Sequence, residues 1–262
     1  MASLCSPQHL GARKSDQAAW IRQAGIVKSI IRSLFILFTA VMLVSLGGCA
    51  TTPKNPDDPF ERFNRAMFKI NEGIDVVAKP VAQGYDAVAP LPVKAGLGNF
   101  FSNLADIRIA INNMLQGKFA DGFSDIGRFL INSIIGIGGV FDVASEMGLE
   151  KNSADFGQTL GIWGVGEGPF FYWPIIGPRT ARDTFSFAVD LYAHPLWHVS
   201  DTSVRYSIVA VQFVDIRARM LPVDRVIEQA AFDRYSYIRD AYLQSRRRAI
   251  PRKSPQEYYY WD

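Results

Sequence analysis

Cysteine is nearly missing from this chain: Cys5 and Cys49 are the only two, and nothing follows them. The part after residue 49 therefore has neither disulfides nor thiol chemistry, and an oxidising compartment is permitted but unused. Histidine is equally scarce, at three residues. The pair in HPLWH, His194 and His198, is interrupted by Pro195 and lacks a third ligand, so two helix-end histidines are the better reading than a metal site. Strand alternation and internal repeats are absent. The longest early apolar run, SLFILFTAVMLVSL from Ser33 to Leu46, falls short of the roughly 20 residues of a membrane-spanning helix.

Catalytic motifs also fail their contexts. Gly157-Gln158-Thr159-Leu160-Gly161 mimics a nucleophile elbow with threonine for serine, but no strand precedes it and glycine-rich sequence follows. Gly136-Ile137-Gly138-Gly139 closes a helical run and does not open a helix after a strand, which is the capping role of glycine and not a phosphate cradle. No catalytic residue, metal or cofactor is expected, and the chain is read as something other than an enzyme.

What is present begins at the N-terminus. Arg13, Lys14, Arg22, Lys28 and Arg32, against Asp16 alone, lead into the apolar run. Basic, then apolar, then small is the order of a secretory signal. Leu46-Gly47-Gly48-Cys49 resembles the lipobox of bacterial lipoproteins, with Gly47 where alanine or serine is more usual. Residues 1–48 are read as a lipoprotein signal peptide, Cys49 as the acylated residue, and 49–57 as a short lipidated tether. Of 28 basic and 25 acidic side chains, five and one lie in residues 1–48, leaving 23 against 24 in the remaining 214 residues. A nearly neutral body lacks the clustered positive face of a nucleic-acid binder. The run Arg246-Arg247-Arg248 is explained as a solvated helix end.

The remainder reads as mostly α-helical. Asp58-Pro59-Phe60-Glu61 predicts an N-cap, and Phe60, Phe63, Met67, Ile70, Ile74 and Val77 recur at steps of three and four up to Pro80. Further helical patterns run through Leu97 to Leu104, Ile107 to Leu115 and Phe123 to Ile135. Others cover Phe187 to Leu191, Val204 to Val214 and Val226 to Tyr242. Between them lies FGQTLGIWGVGEGPFFYWPIIGPRT, Phe156 to Thr180, an aromatic and Gly/Pro-rich segment expected as an ordered loop. The tail 251–262 is expected to be mobile.

Two features point to a lipid surface. FLINSIIGIGGVF, Phe129 to Phe141, has only Asn132 and Ser133 as polar residues. A buried core helix and a segment lying in the membrane interface are both open. Phe129, Leu130, Ile134, Ile135, Ile137 and Phe141 are its candidate membrane contacts. Trp163, Tyr172 and Trp173 join them, because amphipathic rings suit the interface.

DPFERFNRAMFKIN, RFLINSIIGIGGVFDVA, FGQTLGIWGVGEGPFFYWPIIGPRTARD and the Asp190-Leu191-Tyr192 region together resemble the MlaA family, also called VacJ, across roughly Asp58 to Ile250. The resemblance implies an all-α, ring-like bundle of amphipathic helices at 58–250, embedded in one membrane leaflet with a channel through it. It implies lipid-anchored residence on the periplasm-facing leaflet of the outer membrane of a Gram-negative bacterium. It implies phospholipid as cargo, with a trimeric outer-membrane porin and a soluble periplasmic lipid carrier as partners. Asn64 and Asn71, on the helix matching the family's first motif, become candidate residues of a channel or its gating helix. A porin-bound structural lipoprotein that moves no lipid is the alternative.

Overall fold

The computed structural model describes residues 55–250; Cys49, the start of the tether and the tail from Pro251 lie outside the described residues. Helix α1 spans Glu61–Val88 and continues through Pro80 without a break. Proline inside a helix removes one hydrogen bond, but packing along helix α7 (Thr202–Ala230) overrides that local cost. The same happens in α7, which continues through Pro222. Asp58 does not cap α1 as its position suggested. It is buried, and accepts hydrogen bonds from Asn64 Nδ2 at 2.8 Å, Arg239 Nη1 at 3.3 Å and the Tyr235 hydroxyl.

The second and third helical patterns fuse into one helix, α2 (Leu91–Leu115), followed by α3 (Phe119–Ile134) and a short α4 (Val143–Glu146). The glycine turn after α3 folds back onto α2: Gly139 has φ +91°, and a Cβ there would lie 2.6 Å from the Asn103 side chain. Helix α5 (Phe156–Ile162) contains the GQTLG stretch, so Thr159 is a buried helical residue whose hydroxyl donates to Asn112 Oδ1 at 2.9 Å.

The aromatic segment holds the one element that alternation did not reveal. Phe170–Trp173 (β1) and Gly177–Thr180 (β2) form an antiparallel hairpin, with Phe171 opposite Arg179 and Phe170 opposite Thr180. Four-residue strands are too short for a period to show in sequence. Helix α6 (Ala181–Ala193) follows, capped by Thr180, then a 3-10 turn at Pro195–His198, α7, and α8 (Arg234–Ala249). A small aromatic cluster gathers Phe68 of α1, Phe170 and Tyr172 of β1, and Tyr235 and Leu243 of α8. Its rings meet edge to face, with Phe68 and Tyr172 centroids 5.2 Å apart.

Neighbouring elements close into a circuit: α1 packs on α7, α7 on α2, α2 on α5, α5 on α6, α6 on the hairpin and the hairpin on α1. Ionic or amide groups tie most of its seams. Arg217 joins Asp75 of α1 at 2.6 and 2.7 Å and Asp224 at 2.6 Å. Asp215 takes Tyr85 of α1 at 3.0 Å and Arg219 at 2.8 Å, and Arg219 reaches the Lys94 carbonyl of α2. Asp190 of α6 accepts from Asn112 of α2 and from the Phe156 amide at the start of α5.

The final seam corrects the reading of the arginine run. Arg246 is mostly buried and donates to Asp155 Oδ2 at 2.5 Å and Oδ1 at 2.9 Å, and to Asp183 at 2.9 and 2.8 Å. Arg247 grips Asp57 at 2.7 Å and Glu167 at 2.8 Å. Only Arg248 of the three is exposed. Helix α8 thus closes the body by charge, holding the N-cap residue of α5 and the first turn of α6 together.

Removing one partner of such a buried arrangement strands the other charges. Arg246→Met should cost about 3 kcal/mol, while Arg248→Met should stay within about 0.5 kcal/mol, both read by urea unfolding in mild detergent. The same clasp sets an acid limit. Burial alone would raise the carboxyls of Asp155 and Asp183, but the hydrogen bonds and charge of Arg246 overcome it and hold both below the ordinary range. Arg65 draws Asp233 down to about 2, against a smaller opposing effect of burial. A depressed folded pKa contributes stability above the unfolded value, near 4, that is lost as pH falls through the folded one. The unfolding midpoint should therefore drop steeply between about pH 4 and pH 2. Arg246→Met should flatten that drop.

Candidate membrane-contact site

Helix α3 is amphipathic with its faces exchanged. Phe119, Phe123, Ile126, Leu130 and Ile134 follow helical spacing along one side, and all are exposed, Phe123 by 67% and Ile134 by 77%. The opposite side, Gly122, Asp125, Arg128 and Asn132, is buried against the body. A helix on a water-soluble body turns its apolar stripe inward; α3 does the reverse. Ile135, Ile137 and Phe141 extend the outward apolar surface past the helix, and Phe129 is half-buried beside it. Ile137 stands outward with φ +53°, a backbone region unfavourable for a β-branched residue.

The inward face is held by paired polar groups. Asp125 accepts from Asn113 of α2 at 2.7 Å and from Asn152 at 3.0 Å. Arg128 donates to both oxygens of Asp142, at 2.9 and 3.1 Å, and to the Leu149 carbonyl. Asn132 donates to Asp142 at 2.9 Å and accepts the Ala144 amide at 2.9 Å. Among the described residues, buried polar and charged side chains outnumber buried apolar ones, while large apolar side chains crowd the surface. That distribution suits hydrocarbon outside and paired polar groups within. The exposed apolar surface continues on α1 at Val76, Val77 and Val81, and on α7 at Val211, Phe213 and Ile216. Sequence reading had assigned none of these to lipid, nor Phe119 and Phe123. A stripe at helical spacing does not say which way it faces. No helix among the described residues is long and apolar enough to cross a membrane.

The aromatic candidates separate. Trp163 is exposed, with Nε1 donating to the Leu115 carbonyl at 3.1 Å. Trp173 is half-buried, with Nε1 donating to Thr184 Oγ1 at 3.0 Å. Tyr172 is only 5% exposed, packed on Phe68 in the aromatic cluster, and cannot touch lipid. The strand's alternation explains this correction: Phe170 and Tyr172 point inward, Phe171 and Trp173 outward.

Asn64 and Asn71 both bond to the hairpin. Asn64 is fully buried, donates to Asp58 and to the Phe170 carbonyl at 2.9 Å, and accepts the Tyr172 amide at 3.0 Å. It pairs with β1 as a strand would. Asn71, two turns along α1, accepts the Ile175 amide at the hairpin tip, at 2.9 Å. Together they fasten the hairpin to α1. The histidines make no joint site: His194 accepts the Leu196 amide, and His198 Nε2 lies 3.0 Å from the Tyr192 carbonyl.

The model of the MlaA lipoprotein family matches residues 56–249. The Escherichia coli K12 intermembrane phospholipid transport system lipoprotein MlaA is 32% identical over 209 residues, covering 78% of this chain and 82% of its own. Its Haemophilus influenzae counterpart is 33% identical over 221 residues, covering 80% and 88%. An uncharacterized protein of Rickettsia typhi is 35% identical over 195 residues, covering 74% and 78%. A solved structure from work on the structural basis for maintenance of bacterial outer membrane lipid asymmetry superposes with a TM-score of 0.65. It is 31% identical and covers 73% of this chain and 98% of that one. With its helical body matched nearly end to end in sequence and fold, the chain belongs to the MlaA lipoprotein family.

Proposed function

We propose that this protein is an outer-membrane lipoprotein that withdraws misplaced phospholipid from the outer leaflet and passes it inward, maintaining lipid asymmetry. The observation that carries the reading is the exchanged polarity of α3, with isoleucine and phenylalanine outward and Asp125, Arg128 and Asn132 inward. The names of the Escherichia coli and Haemophilus influenzae relatives and the subject of the matched structure support it.

Phospholipid crosses a bilayer slowly because its charged headgroup must leave water. A body that shows apolar side chains to acyl chains and keeps polar groups inside lowers that barrier without making or breaking a covalent bond. The process is therefore movement and not catalysis. Acylated Cys49 holds the body on the periplasm-facing leaflet, and 49–57 keeps it close. Leu130, Ile134, Ile135, Ile137, Phe141 and Trp163 contact lipid, with Phe129 and Trp173 at the margin. A trimeric porin gives lateral support, and a soluble periplasmic carrier receives the lipid.

A porin-bound scaffold that moves no lipid is the second reading. The mutual pairing of the inner polar groups of α2 and α3, Asn113 with Asp125 and Asn103 with Ser133, favours it.

Cells lacking the protein should accumulate outer-leaflet phospholipid, measured with an outer-membrane acyltransferase reporter. Wild type should clear it and Cys49→Ala should not. The double variant Ile134→Asp, Phe141→Asp should remain folded in detergent yet fail to clear it, since each buried charge in hydrocarbon costs about 2.5–3.5 kcal/mol. An unchanged leaflet with altered porin assembly would select the scaffold.

A further inference from the structure

Several buried arginines in this body have a carboxylate beside them: Arg128 has Asp142, Arg239 has Asp58, and Arg246 has Asp155 and Asp183. Arg179 of β2 does not. Its side chain makes no hydrogen bond or ion pair among the described residues, and its Nε is buried without a partner. Its guanidinium lies 4.2 Å above the Phe187 ring. The nearby carboxylate, Asp183, is already taken by Arg246 and by the Tyr242 hydroxyl. Burial pulls the Arg179 pKa down from its ordinary value, yet a guanidinium stays charged at neutral pH. Half-buried, with its Nε shut off from water, this cation lacks the paired anion that offsets such burial elsewhere in the body.

Arg179 stands beside a cleft of about 210 Å³ with almost wholly apolar walls, lined also by Trp173, Ile176, Thr184 and Phe187. Thr184 is occupied, accepting from Trp173 Nε1 and donating to the Thr180 carbonyl, so the arginine is the polar group with capacity to spare. Ile176 of the lining is exposed, as are Ile175 and Phe185, the chain neighbours of the lining residues Ile176 and Thr184. Ile175 stands there with φ +69°, fixed by the bond from its amide to Asn71.

We propose that Arg179 and this cleft hold the phosphodiester of a phospholipid headgroup, with an acyl chain lying along Ile176 and Phe187. The assignment rests on the lipid-handling reading and adds to it a site. A phosphate oxygen supplies the missing acceptor through a charge-assisted bond. The apolar walls take the chain, which a free phosphate ion would leave uncovered. Trp173 and Arg179 then stand at headgroup depth and the Ile175-Ile176 tip among acyl chains, the usual arrangement of amphipathic side chains at an interface.

The test uses the full-length acylated protein in mild detergent and a phosphatidylglycerol bearing a diazirine near the end of one acyl chain. Cross-links are mapped by mass spectrometry. Labelling of the 170–187 segment is expected in wild type. Arg179→Gln should reduce it about tenfold, the scale of one lost charge-assisted hydrogen bond. Arg179→Lys should retain part of it. The matching diazirine diacylglycerol, which has no phosphate, should label wild type and Arg179→Gln equally. Equal phospholipid labelling of wild type and Arg179→Gln would overturn the assignment. So would a difference that persists with diacylglycerol, or displacement of the lipid by an equal concentration of inorganic phosphate. Glu257→Gln with Asp262→Asn gives a further control: if labelling appears only in that variant, the occupant is the chain's own tail and the assignment fails. Outer-leaflet clearance in cells is read separately, so loss of the cleft assignment leaves the transport reading standing.

Discussion

The arginine-to-carboxylate bond across a helix seam is what the rest of this structure depends on. A body with apolar side chains over much of its surface cannot rely on the hydrophobic effect to draw its helices together in lipid, because hydrocarbon is as good a neighbour for isoleucine as another helix is. Something else must define which helix meets which. Here it is charge: Arg217 between Asp75 and Asp224, Arg128 on Asp142, Arg246 between Asp155 and Asp183. Such groups are expensive to bury and more expensive to leave unpaired, so they penalise wrong pairings strongly. The aromatic cluster around Phe68 and Tyr235 is small and local beside them.

This exchange of roles ties the fold to the proposed activity. Polar groups that fix the seams are the same class of group that a lipid headgroup tolerates, and the apolar side chains released from core duty become the surface that meets acyl chains. Asn64 and Asn71 show the economy at small scale. One fills a strand-like position beside Phe170 and Tyr172, the other receives the hairpin tip, and the pair adds polar ties to the packing of Phe68 on the hairpin.

Much of the fold was legible in the residues. Helix existence followed from spacing, and the motif order marked the family. Boundaries at Pro80 and Pro222 were not legible, because packing of α1 on α7 decides whether a proline ends a helix, and that packing is invisible locally. The hairpin escaped for want of length. At the candidate site, the run from Phe129 to Phe141 was visible as apolar, but its direction was not. Only the burial of Asp125 and Arg128 opposite Leu130 and Ile134 shows that the apolar side is outward. Tyr172 and Trp173 are adjacent and alike in sequence; strand alternation sends one to the core and one to the rim. Arg246 and Arg247 read as a solvated terminus because their acids lie 63 to 190 residues away.

Those separations have a consequence for the order of assembly. A chain made and delivered N-terminus first presents Asp57, Asp155, Glu167 and Asp183 long before the arginines that neutralise them. Until α8 arrives, Asp155, Glu167 and Asp183 lack the arginines that pair with them, and among the described residues only the Asp190–Phe156 bond ties α5 to α6 by charge. The last helix therefore acts as a latch: seams such as Arg217 on Asp75 and Arg128 on Asp142 can form before it, and the junction of α5 with α6 locks when its final turns are released.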